Sequence, residues 1–124
     1  MEDKAVVLYI DDENLNLCAF EILFRKTLNV HTTIDTDEAV EMVRDGKIDV
    51  IITDQMMPVM TGVELLKKII EIDNSILRII HSGYVDDPEI QQAYEDGTAH
   101  YVLDKPLDKR MMLTAINEHI NNKE

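Results

Sequence analysis

Hydrophobic residues fall along this chain in five short clusters, at residues 5–10, 29–34, 48–53, 76–82 and 99–103. Each is too short for a typical helix. Most are rich in β-branched residues and continuously apolar, the pattern of strands covered on both faces. Between the clusters, apolar positions repeat at helical spacing. Leu17, Phe20, Phe24 and Leu28 form one stripe, Val40 and Val43 begin a second, and Leu66, Ile69 and Ile70 make a third. Ile90, Ala93 and Tyr94 mark a shorter fourth, and Leu113, Ile116 and Ile120 a fifth. Boundary signals agree with this division. Thr61 and Glu64 have capping-box spacing ahead of the third helix. Asp87-Pro88 places a capping carboxylate before a proline at the first helical position, and Gly97 ends that helix. The chain reads as a βα unit repeated five times.

Such alternation predicts an α/β fold: a doubly wound parallel sheet of five strands, with right-handed crossovers and helices on both faces. For the common strand order 2-1-3-4-5, a ligand site forms beyond the carboxyl ends of the first and third strands, where the order reverses. Chemistry is therefore expected just after Ile10 and just after Thr53.

Composition narrows the function. The 124 residues are 45% hydrophobic, which suits one domain over residues 1–124 with a core that needs no staples. Twelve basic against 25 acidic residues leave a formal charge of −13, much of it expected on solvated helix faces. Such a field repels nucleic acid and anionic membranes, so neither is an expected partner. Cys18 stands alone, which excludes an internal disulfide, fits a reducing compartment, and suggests a small core residue on the first helix. The acidic start is unlike a secretory signal, and no apolar run approaches a membrane span. A cytoplasmic location is expected. No linker or repeat marks a second domain, and no effector segment is recognised by residue 124.

At the predicted strand ends stand Asp11-Asp12-Glu13, Asp54, Ser82 and Asp104-Lys105-Pro106. Taken singly each has a plain explanation: a helix cap, a loop residue, a strand terminus, a surface turn. Together they describe a site. Crowded carboxylates repel unless a cation intervenes, and Mg2+ favours one or two carboxylates, a carbonyl and water. A carboxylate can act as a nucleophile toward phosphorus, and a lysine and a hydroxyl can contact the phosphoryl oxygens.

These residues carry a resemblance. Val7-Leu8-Tyr9-Ile10-Asp11-Asp12-Glu13, Ile51-Ile52-Thr53-Asp54-Gln55-Met56-Met57-Pro58 with Gly62, Ile79-Ile80-His81-Ser82-Gly83-Tyr84 and Lys105-Pro106 together resemble the receiver domain of two-component response regulators, the CheY-like family. The resemblance covers nearly the whole chain. It implies that Asp54 is the phosphoacceptor, served by a histidine kinase or phosphotransfer protein. It implies Mg2+ held by Asp12 and Asp54, by Asp11 largely through water, and by the Met56 backbone carbonyl. Ser82 matches the switch hydroxyl and Lys105 the phosphoryl-contacting lysine, with a cis bond before Pro106. The responding face would be the fourth helix, fifth strand and fifth helix, roughly residues 88–121, which controls an unidentified output partner; dimerisation through that face is left open.

Two departures from the family pattern matter. The position three before Lys105 is Val102, with Tyr101 one residue earlier and expected on the opposite face. Tyr101 is then either a displaced switch aromatic or an edge-strand residue packed beside a helix. Met56 and Tyr84, two residues beyond Asp54 and Ser82, offer no carboxylate or amide to orient a hydrolytic water, so slow loss of the phosphoryl group is expected. His31, His81, His100 and His119 lack metal-ligand spacing and are read as solvated or packed. The seven methionines, including Met56-Met57 and Met111-Met112, are read as core or gap-filling. The alternative function is a Mg2+-dependent phosphatase with an aspartyl nucleophile, although Asp11 with Glu13 only imitates its paired acids and no cap segment is present. A flavodoxin-like carrier is a third reading, opposed by the acids where a phosphate loop should lie.

Overall fold

A computed structural model describes residues 4–122; the reading of residues 1–124 as one receiver extends beyond the described residues at both ends. Five strands alternate with five helices: β1 (Val6–Ile10), α1 (Asn14–Phe24), β2 (Asn29–Thr33), α2 (Thr36–Arg44), β3 (Val50–Thr53), α3 (Gly62–Ile72), β4 (Leu77–Ser82), α4 (Pro88–Glu95), β5 (Tyr101–Asp104) and α5 (Lys109–Asn122). The sheet is parallel with order β2-β1-β3-β4-β5, as expected. β3 and β4 are buried throughout, but β2 and β5 are only partly covered because each is an edge.

Alternating side chains divide the core in two. Leu8, Ile10, Ile51 and Ile80 face α2, α3 and α4. Val7, Tyr9, Val50, Ile52 and Ile79 face α1 and α5. Phe20 and Phe24 are fully buried on the second side, and each contributes roughly 1.5–3 kcal/mol through burial. Tyr101 belongs to the α1/α5 side and Val102 to the other, as strand alternation requires. The Tyr101 hydroxyl donates to Glu118 of α5 at 2.7 Å, so it packs as an edge residue beside a helix.

The capping box at Thr61 and Glu64, the Asp87 cap and the positive φ of Gly97 (85°) are present as expected. Three expectations need correction. Cys18 is exposed, because it lies about 100° around the helix from Leu17, outside the stripe formed with Phe20 and Phe24. Tyr94 is exposed while Ile90 and Ala93 are buried, so the apolar face of α4 is narrower than its sequence suggests. Met56 and Met111 are also exposed, and only their neighbours Met57 and Met112 pack inward.

Candidate functional site

Strand register builds the site. Ile10 lies opposite Thr53 in the β1–β3 pair, so the next residues, Asp11 and Asp54, leave the sheet side by side. Ser82 lies opposite Asp104, and Lys105 N–H donates to the Ser82 carbonyl at 2.9 Å, which brings the lysine over the same edge. The bond from Lys105 to Pro106 is cis. Carboxylate oxygens of Asp11, Asp12 and Asp54 lie within 4.8 Å of one another. Three hard oxygen donors at this separation fit a divalent cation.

The three acids are not equivalent. Asp11 is fully buried and accepts from Glu13 N–H at 3.0 Å, Asn16 Nδ2 at 3.1 Å and Lys105 Nζ at 2.9 Å. Asp12 is exposed and faces solvent at the mouth. Neither caps α1; that position belongs to Glu13, which makes no side-chain capping bond. Asp54 is half-buried, accepts from Gln55 N–H at 2.8 Å on one oxygen and meets Lys105 Nζ at 3.3 Å on the other. Burial pushes the Asp54 carboxyl above the usual aspartate range, against the opposing pull of Lys105. Burial alone would lower the Lys105 ammonium, but its hydrogen bond to Asp11 and the charges of Asp54 and Asp11 outweigh this and hold it above the usual lysine range. An uncompensated acid cluster with one resident ammonium is poised to take a further cation.

Ser82 is buried, and its hydroxyl oxygen accepts from Tyr84 N–H at 3.0 Å, which leaves its O–H as a donor. The exposed Met56 and Tyr84 side chains stand in the loops after β3 and β4. Sequence reasoning did not anticipate Asn16, which steadies Asp11. It also did not anticipate Gln55, fully buried beside Asp54. A polar residue directly after Asp54, ahead of a proline loop, was the available signal for Gln55.

Of the four histidines, His81 is the buried one and His31 is exposed. His81 shares a hydrogen bond with the Tyr9 hydroxyl at 3.1 Å through Nδ1. Burial, then the Lys105 charge, lowers its pKa from 6.5 to about 4. A folded-state value below the unfolded one means that the unfolded chain takes the proton first. Stability present above pH 6.5 is therefore lost as pH falls from 6.5 toward 4. Replacing His81 with Phe should flatten this slope in urea unfolding compared at about pH 7 and about pH 5. A variant with the wild-type slope would refute the assignment.

A doubly wound sheet with an acidic pocket at its switch point and a lysine across it is the architecture of a signal receiver. Residues 7–117 match the response regulator receiver domain family. The chain is 38% identical over 105 residues to the hydrogenase transcriptional regulatory protein HoxA of Cupriavidus necator, aligning 83% of this chain with 22% of that protein. It is 29% identical to the two-component response regulator ARR22 of Arabidopsis thaliana, covering 90% of this chain and 80% of the relative. A response regulator receiver domain protein from Clostridium thermocellum superposes with a TM-score of 0.88 at 32% identity, over 96% of each chain. This chain belongs to the response regulator receiver family, the CheY-like domains of two-component signalling. It spans about a fifth of the length of HoxA, so the transcriptional role in that name is the longer protein's own. Among the described residues no helix is long and apolar enough to cross a membrane.

Proposed function

We propose that Asp54 accepts a phosphoryl group from a histidine kinase or phosphotransfer protein, with Mg2+ held by Asp12, Asp54, the Met56 carbonyl and, largely through water, Asp11. The observation that carries this is the cluster of Asp11, Asp12 and Asp54 oxygens within 4.8 Å, with Lys105 already touching Asp54. An oxygen of Asp54 attacks the donor phosphorus, an O–P bond forms, and the donor's N–P bond breaks with the electrons returning to its imidazole. Bound Mg2+ would supply positive charge to the phosphoryl oxygens. Lys105 adds a second positive charge across the pocket, and Ser82 offers its hydroxyl proton to a phosphoryl oxygen. The added charge biases a two-state element on the α4–β5–α5 face, which then meets an output partner.

Exposed Ile34 and Val59 line a cleft with Asp12, and exposed Met56 and Tyr84 line another with Asp104, which supports a protein rather than a small phosphate ester as the donor. The phosphatase alternative loses ground. Glu13 does not join the acid cluster but accepts from Asn16 Nδ2 at 3.2 Å. Beyond its own phosphorylation and dephosphorylation, the domain is expected to turn nothing over.

Intact mass after treatment with acetyl phosphate and Mg2+ tests the assignment. Wild type should gain one phosphoryl group, and Asp54→Asn should gain none. Equal labelling of both would move the acceptor elsewhere. The same sample, followed after removal of the donor, should keep its label for many minutes. Neither Met56 nor Tyr84 offers a carboxylate or amide to orient a water for attack, and loss within seconds would show that another group does.

A further inference from the structure

The fully buried Gln55 side chain points away from the acids, toward α4. Its Nε2 donates to Glu89 at 2.6 Å, and its Oε1 accepts from Val63 N–H of α3 at 2.9 Å. Glu89 sits in the first turn of α4 and also accepts from the Thr61 hydroxyl at 3.3 Å. Gln55 N–H holds Asp54 at 2.8 Å, and its carbonyl accepts from Gly62 N–H at 3.0 Å. An unbroken line of hydrogen bonds thus runs from the Asp54 carboxylate through one buried residue to the start of α4. Tyr101 offers no aromatic route to α4, since its hydroxyl is tied to Glu118 of α5 and the residue on the α4 side of β5 is Val102.

We propose that Glu89 is a positioning residue that fastens α4 to the Asp54 loop, so that a change at Asp54 reaches α4 through the Gln55 carboxamide. This inference rests on phosphoryl acceptance at Asp54. A bond from an amide to a carboxylate is among the stronger neutral-to-charged contacts. The carboxamide cannot rotate without leaving Val63 N–H unpaired or taking from Glu89 its bond to Gln55, with only Thr61 remaining. Gln55 must therefore move as a unit with its backbone, whose N–H is fixed on the group that is modified. Displacement at Asp54 is carried to Glu89 rather than dissipated in side-chain rotation.

The test uses beryllofluoride with Mg2+ as the phosphoryl mimic and reads backbone amide shifts of the full chain. In wild type the amides of Gln55 and of α4, such as Gln91 and Ala93, should all move. In Glu89→Ala the Gln55 amide should still respond, while the α4 shifts fall below about a third of wild type. Glu89→Gln keeps an acceptor and should restore them. Gln55→Glu should uncouple α4 by charge repulsion, and combining it with Glu89→Gln should recover the response by exchanging donor and acceptor. This pair also decides the matter if Glu89→Ala does not fold. A full α4 response in Glu89→Ala, or no recovery in the exchanged pair, overturns the inference alone. A wild type that shows no response at Asp54 overturns the phosphoacceptor reading and the inference with it.

Discussion

Gly62→Ala is expected to abolish phosphoryl acceptance and to lower stability by at least about 3 kcal/mol. The reason is space. A Cβ at Gly62 would overlap the Asp54 carbonyl oxygen and lie 3.0 Å from the Asp54 carbonyl carbon and 3.1 Å from Thr53 Cγ2. The crowded atoms are mostly backbone, so no flexible side-chain end can swing aside. Gly62 also opens α3, and its N–H is bound to the Gln55 carbonyl at 3.0 Å, so the loop cannot relax outward without breaking that bond. The added methyl therefore moves Asp54 itself. Urea unfolding and intact mass after acetyl phosphate measure the two effects. An alanine variant with near-wild-type stability and labelling would mean that the loop from β3 to α3 is far softer than its hydrogen bonds imply.

Lys105→Met is expected to cost about 2–3 kcal/mol without divalent cation, and Mg2+ should recover much of the loss. Asp11 is fully buried, and Lys105 is its cationic partner at 2.9 Å. Removing that partner leaves a buried carboxylate held only by Glu13 N–H and Asn16 Nδ2, with Asp54 close by. The lysine side chain is 25% exposed, so the loss should fall short of that for a fully buried pair. A cation bound among the three acids would supply the missing charge, so Mg2+ should stabilise the variant more than wild type. Urea unfolding of both proteins, with and without Mg2+, reads this directly. Equal stabilisation of the two by Mg2+ would place the cation outside this cluster.

Asp54 poses the opposite electrostatic case. Its carboxyl is held above the usual range, so this site contributes stability at low pH that is lost as pH rises through the raised value. A carboxylate kept partly desolvated beside another acid adds no stability at neutral pH, which agrees with the phosphoacceptor role proposed for Asp54.

The sequence alone determined the alternation of elements, the parallel sheet and the strand ends where chemistry should gather. Those follow from local physics: continuous apolar runs suit strands covered on both faces, and 3.6-residue stripes suit helices packed on one side. It also placed Asp11, Asp12, Asp54, Ser82 and Lys105 at those ends, and alternation alone put Tyr101 opposite Val102. Helix faces were less legible, since apolar spacing cannot say how wide a face its neighbours cover; Cys18, Tyr94 and Met111 lie outside theirs. Only the tertiary structure decided which groups touch. Gln55 and Glu89 are 34 positions apart, and Lys105 and Asp11 are 94 apart. Contacts at such separations are set by strand register and loop path, which no local pattern of residues encodes.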